Sequence, residues 1–130
     1  MTSDPISDLL ATVKNGYMAH KKEVSIPYSK LKEVLAKVLY QNGYLAKVTI
    51  SETGVRKKIK AGLKYKDKKA VLEQIIRVSK PGRRVYVKWN NIPRVLGGLG
   101  CVILSTPFGL ITGDQAKIKK IGGEIICKIW

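Results

Sequence analysis

The residues best suited to recognition chemistry cluster late in the chain. They are Ser105 and Thr106, the Pro107-Phe108-Gly109 turn, and Gly122-Gly123-Glu124. Hydroxyls, free loop amides and one carboxylate can read the edges of nucleic-acid bases, and glycines let a ligand backbone approach closely. A carboxylate accepting from base amino groups makes sense inside a basic surface, where cations set affinity and Glu124 sets discrimination. Ordinary turn chemistry is the competing account, since Ser, Thr and Gly are common turn residues. Aromatics interleaved with cations add stacking capacity. Tyr86 alternates onto one face with Arg84 and Lys88, whereas Trp89 shares the face of Val85 and Val87 and reads as core.

The surroundings of that cluster are strongly basic. Between Thr53 and Gly113 stand fourteen Lys and Arg residues, among them Lys58, Lys60, Lys80 and Arg84, against only Asp67 and Glu73. Over the whole chain 25 basic and 9 acidic residues leave +16 at pH 7. Such a charge is best tolerated next to a polyanion, with nucleic acid ahead of an anionic membrane. The start, with Asp4 and Pro5, does not read as a signal peptide. The longest uncharged run, Val95 to Gly113, is broken by five glycines and Pro107 and reads as turns between short strands.

Catalysis and metal binding find little support. The single histidine, His20, sits beside Lys21 and Lys22, and no cysteine pair has ligand spacing. Cys101 and Cys127 read as small buried thiols of a reducing compartment. No P-loop is present, and Gly97-Gly98-Leu99-Gly100 does not satisfy a dinucleotide fingerprint. A contrasting reading is a small basic hydrolase using Glu124 or Asp114 with a nearby hydroxyl. A generic RNA-binding, membrane-surface or protein-interaction module is another. Neither has a motif behind it.

The elements that position these residues follow from periodicity. Asp4 as cap, Pro5 in the first turn and apolar Ile6, Leu9, Leu10, Val13 and Tyr17 predict an opening helix, weakened by Gly16. After a short apolar segment, Val24 to Pro27, Ser29 caps a second helix with Leu31, Val34, Leu35, Val38 and Leu39 on one face. Strands follow over Tyr44 to Ile50 and Lys57 to Lys66, joined by a turn through Ser51 to Gly54. In the second, Ile59, Ala61, Leu63 and Tyr65 face the core, and Lys58, Lys60, Lys64 and Lys66 form a comb. That comb is either a solvated edge protected against aggregation or a nucleic-acid contact.

Residues 65–69 read as a linker or turn. Beyond them a strand with Ile75, Ile76 and Val78 buried leads to a type II turn at Lys80-Pro81-Gly82-Arg83. Alternation resumes from Arg84 to Trp89, and Asn91-Ile92-Pro93 opens a short helix through Leu96. Strands Cys101 to Ser105 and Leu110 to Thr112, a brief helix Asp114 to Lys120 and a last strand from Glu124 complete the chain. The class is α+β, in two small subdomains, 1–68 and 69–130. The first is helix-rich with a short three-stranded sheet, the second mainly antiparallel β with short helices.

In order along the chain stand Asp4-Pro5-Ile6, Lys14-Asn15-Gly16, Ile26-Pro27 before Ser29-Lys30-Leu31, and Asn42-Gly43-Tyr44-Leu45. Arg77-Val78-Ser79-Lys80-Pro81-Gly82-Arg83-Arg84-Val85-Tyr86, Ile92-Pro93, Ser105-Thr106 and Gly122-Gly123-Glu124-Ile125-Ile126-Cys127 follow. This order resembles the bacterial-type small-subunit ribosomal protein number eight family over essentially the whole chain. The resemblance implies a non-enzymatic constituent of the cytoplasmic ribosome, with an organellar ribosome as the alternative, and with no cofactor, metal, membrane or small-molecule substrate. It implies direct, early binding to the central domain of small-subunit ribosomal RNA and help in assembling the platform. The fifth and twelfth small-subunit proteins would be neighbours, and the messenger of its own operon a further ligand. Carried over by position, Ser105, Thr106, Gly109, Gly122, Gly123 and Glu124 line the specific contact, with Tyr86 and Arg84 beside it. Lys14, Asn15, Ser29 and Lys30 would serve a second, phosphate-facing contact. The family usually reads Ser-Thr-Ser-Lys/Arg-Gly where this chain has Ser105-Thr106-Pro107-Phe108-Gly109, so Phe108 replaces a cation and is itself available to stack. Thr112 to Lys117 likewise lacks an arginine that the family pattern carries.

Overall fold

The computed structural model describes residues 4–52 and 56–130. They belong to two compact units, 1–72 and 73–130. Each combines helix with antiparallel sheet, so the class is α+β.

The first unit opens with α1 (Pro5–Met18), where the Asp4 carboxylate accepts from the Ser7 amide at 3.3 Å and Ile6, Leu9, Leu10, Val13 and Tyr17 are buried. Gly16 is required by packing: a Cβ there would lie 2.5 Å from Val24 Cγ1 and 3.0 Å from Leu63 Cδ1. After β1 (Glu23–Pro27), the Ser29 hydroxyl accepts from the Lys32 amide at 3.2 Å and caps α2 (Lys30–Gln41). The buried stripe of α2 differs from the expected one. Leu31 is exposed, and Lys32 and Ala36 join Leu35, Val38 and Leu39 in the interior. Lys32 can do so because its stem lies along apolar surface while its ammonium reaches the Pro27 carbonyl at 3.3 Å and Asp8 Oδ2 at 3.8 Å.

Strands β2 (Lys47–Ser51) and β3 (Lys58–Gly62) complete an antiparallel sheet of order β1-β3-β2. Strand β2 starts later than expected because the Tyr44 amide is still bonded to the helix carbonyl of Leu39, at 2.9 Å. The turn expected from Ser51 to Gly54 extends outside the described residues. Ile59 and Ala61 are fully buried and Lys58 and Lys60 point outward. However, β3 is the central strand, bonded on both sides, so edge protection does not explain its lysines. Their outward neighbours are Pro27 and Ser51 beside Lys58, and Ser25 and Thr49 beside Lys60. The comb also stops early, because the Leu63 amide turns to Lys22 O (2.9 Å) and the Lys64 amide to the Tyr17 hydroxyl (3.1 Å). Of the two readings of residues 65–69, linker or turn, the second holds: they turn an ordered hairpin, β4 (Tyr65–Lys66) and β5 (Lys69–Ala70). Asp67 and Lys68 turn it with φ of 52° and 65°, the left-handed pair that matches strand twist.

In the second unit β10 (Gly123–Ile129) is central. On one side it pairs with β8 (Cys101–Thr106), which pairs with β9 (Gly109–Thr112); on the other it pairs with both β6 (Ile75–Arg77) and β7 (Tyr86–Val87). Residues between β6 and β7 loop out and return. The turn at Lys80-Pro81-Gly82-Arg83 is closed by paired 2.9 Å bonds, but Gly82 stays outside the positive-φ region, so it is not type II. Ile76 is exposed because strand alternation turns it away from Ile75. One face of the sheet packs Val102, Leu104 and Ile125 with Ile92, Val95 and Ala116.

Two other expectations fail here. Trp89 is not core: the strand stops at Val87, and a 3-10 turn over Trp89–Asn91 carries the indole out to 40% exposure, with Lys120 Nζ 6.0 Å from its ring. The helix from Asn91 to Leu96 is absent, since Ile92 precedes proline and stays extended at φ −66°, ψ 123°. Helix α3 (Gly113–Lys119) starts one residue before the expected one, because Thr112 and Gln115 cap it reciprocally at 3.0 and 3.3 Å. The two cysteines form no disulfide; Cys101, expected to be buried, is only half-buried, whereas burial pushes the thiol of Cys127 up to about 12.

Candidate nucleic-acid interface

Register across the second sheet brings distant residues into one row. Glu124 pairs with Tyr86 on one side and Ser105 on the other, and Ser105 pairs with Leu110. Side chains directly opposite in a ladder share a face, so Tyr86, Glu124 and Ser105 stand together on the face opposite Leu104 and Ile125. Tyr86 is 68% exposed, and Ser105 is half-buried. The ring is therefore free for stacking and the hydroxyl reachable.

Two glycines make this spacing possible. A Cβ on Gly123 would lie 2.3 Å from the Ser105 carbonyl oxygen, and one on Gly122 would lie 2.2 Å from that of Val87. The space a side chain would need at both positions is taken by neighbouring strands, whereas Gly109 at φ +98° has nothing within 4 Å. The β8–β9 hairpin end is built by Thr106, whose Oγ1 donates to Gly109 O at 2.9 Å and accepts from the Phe108 amide at 3.1 Å. That turn holds Phe108 out in solvent, with Lys119 Nζ 5.8 Å from its ring.

Arg84 Nη1 donates to Glu124 Oε2 at 3.0 Å, with the carboxylate side chain 14% exposed and the guanidinium side chain 47%. Nothing in the sequence signals this pair, because forty residues separate its members. Arg84 sits where the 80–84 loop rejoins the sheet. The buried Ser79 hydroxyl closes that neck, accepting from the Val85 amide at 3.0 Å. The Ile125 amide bonds Val85 O at 2.9 Å just beyond it. Lys80 lies at the exposed tip of the same loop. Lys119 and Lys120 were missed as partners of Phe108 and Trp89, although their place at the end of the expected helix was legible.

The remaining predicted site residues lie in the first unit. Lys14 and Asn15 are on the later half of α1, Ser29 is spent as the α2 cap with Lys30 exposed beside it, and Lys58 and Lys60 are on the outer face of β3. Among the described residues no cluster of His, Cys, Asp and Glu could hold a metal, and no helix is long and apolar enough to cross a membrane.

Residues 4–130 match the family model described as ribosomal protein S8. A protein of Dictyoglomus turgidum named small ribosomal subunit protein uS8 is 48% identical over 128 residues, covering 98% of each chain. Proteins of the same name from Nitratidesulfovibrio vulgaris and Solibacter usitatus are 48% and 47% identical, with all of each chain covered. With identity at this level sustained from end to end, the chain belongs to the ribosomal protein S8 family and is a small-subunit ribosomal protein.

Proposed function

We propose that this protein binds the central domain of small-subunit ribosomal RNA directly and, without catalysing a reaction, helps that domain fold during platform assembly. The observation that carries the reading is the row of Tyr86, Glu124 and Ser105 on one sheet face, its phenol exposed and its carboxylate and hydroxyl partly covered, beside the turn that holds Phe108 out in solvent. An exposed phenol, a carboxylate and a hydroxyl at strand spacing suit unstacked bases rather than a regular duplex, whose deep major groove is closed to side chains. The net charge of +16 supplies sequence-independent attraction by releasing counterions from the RNA. Lys14, Asn15, Lys30, Lys58 and Lys60 of the first unit are phosphate contacts in this reading. Gly122 and Gly123 serve the site by fixing strand spacing. Family membership supports the fifth and twelfth small-subunit proteins as neighbours, the messenger of its own operon as a second ligand, and the cytoplasmic ribosome as the setting.

Filter binding tests this. A central-domain RNA with an irregular helix should bind much more tightly than an uninterrupted duplex of equal length, with affinity falling steeply as salt rises. Tyr86→Ala should weaken only the irregular RNA, by ~1–3 kcal/mol for one lost stack. Equal affinity for both RNAs would overturn the base-reading row.

A further inference from the structure

We infer that Arg84 is a positioning residue for Glu124 and not a phosphate ligand, so that it governs which RNA is bound rather than how salt affects binding. The inference rests on the base-reading role proposed above. Three observations carry it. The guanidinium is already committed, with Nη1 3.0 Å from Glu124 Oε2. The bond uses one carboxylate oxygen, Oε2, which leaves Oε1 for a ligand on a residue flanked by Tyr86 on one strand and Ser105 on the other. The backbone under Arg84 is also anchored: Ser79, fully buried, bonds the Val85 amide at 3.0 Å, and Val85 O accepts from Ile125, the residue after Glu124, at 2.9 Å. Both ends of the pair therefore stand on one hydrogen-bonded ladder, which fixes the carboxylate before any ligand arrives.

A closed ion pair carries no net charge, so it displaces no counterion from the RNA unless it opens. Opening it would leave a largely withdrawn carboxylate beside phosphates, which is unfavourable. A carboxylate held at one oxygen has a set orientation for a base amino group, whereas an unheld one must be ordered on binding.

The test is a mutant cycle read as two quantities, the ratio of affinities for irregular and duplex RNA, and the slope of log affinity against log salt. Arg84→Ala should cut the ratio by about 5- to 150-fold, the worth of one good base contact, and leave the slope unchanged. In the isosteric Glu124→Gln background the same change should cost little more, because its target is already gone. Arg84→Lys, which keeps the charge, should restore part of the ratio. A slope shallower by about 0.7–0.9 on Arg84→Ala, in both backgrounds, would make Arg84 a phosphate ligand and overturn the inference. Additive effects of the two substitutions would overturn it too. A wild-type protein that does not discriminate would fail the underlying base-reading role instead, and the inference with it. Arg84 is half exposed, and matching melting curves for the variants will establish that each remains folded.

Discussion

Replacing Gly123 by alanine tests the origin of the recognition row. The new methyl would lie 2.3 Å from Ser105 O and 3.0 Å from Thr106 Cγ2. Ordinary contact starts at 3.4 Å, so β8 and β10 must part locally by about 1 Å. The closest obstacle is a backbone carbonyl, and β10 is paired on both sides, so no flexible side chain can absorb the shift. Overpacking of this kind costs ~1–3 kcal/mol. For a chain of this length that lowers Tm by about 3–15 °C. The displacement falls where Ser105 faces Glu124, beyond the ~0.5 Å tolerance of a preorganised site, so discrimination between irregular and duplex RNA should fall as well. The slope against salt should not change, since no cation moves. Gly43→Ala is the control. Nothing lies within 4 Å of a Cβ at that position in the first unit, so only the strain of φ +83° is added, at ~1–2 kcal/mol, and the row stays in place. Calorimetry and filter binding read both variants. A Gly123→Ala protein that melts with the wild type and discriminates as well would refute the argument that strand spacing sets the row.

Ser79→Ala removes the buried acceptor of the Val85 amide and should destabilise the protein by ~1–3 kcal/mol in urea melts, with faster amide exchange at Val85. An unchanged midpoint would show that the neck of the 80–84 loop does not depend on this hydroxyl. The Cys127 thiol is raised by burial, and secondarily by Cys101, from its ordinary 9.0 to about 12. On unfolding it would ionise first, so its contribution to stability is complete below pH 9 and is lost as pH climbs toward 12. Mass mapping after alkylation of the native protein near neutral pH should find half-buried Cys101 modified and Cys127 modified only on unfolding. Equal native rates would contradict the burial of Cys127.

Local chemistry was enough for the first two helices and much of the fold class. The caps at Asp4 and Ser29 and the stripe from Ile6 to Tyr17 depend on neighbours three and four residues away, which sequence displays directly. The alternation of Ile59 and Ala61 with Lys58 and Lys60 was readable for the same reason. Side-chain reach was not, so Lys32 entered the core where Leu31 was expected. Strand order was equally hidden: β3 proved central because β1 and β2 both pair with it, a matter of non-local hydrogen bonding. Trp89 fits an alternating pattern that ends two residues before it, where the chain turns.

The site divides in the same way. Its residue types, the basic surroundings and the ordered motifs that mark the family are all visible in one dimension. That Tyr86, Glu124 and Ser105 form a single row, that Arg84 holds Glu124, and that Gly122 and Gly123 yield their space to protein strands came only from tertiary structure. The reason is physical. Register and close approach between strands are set by hydrogen bonds spanning roughly twenty to forty residues, and a local pattern contains no record of which partner will face it.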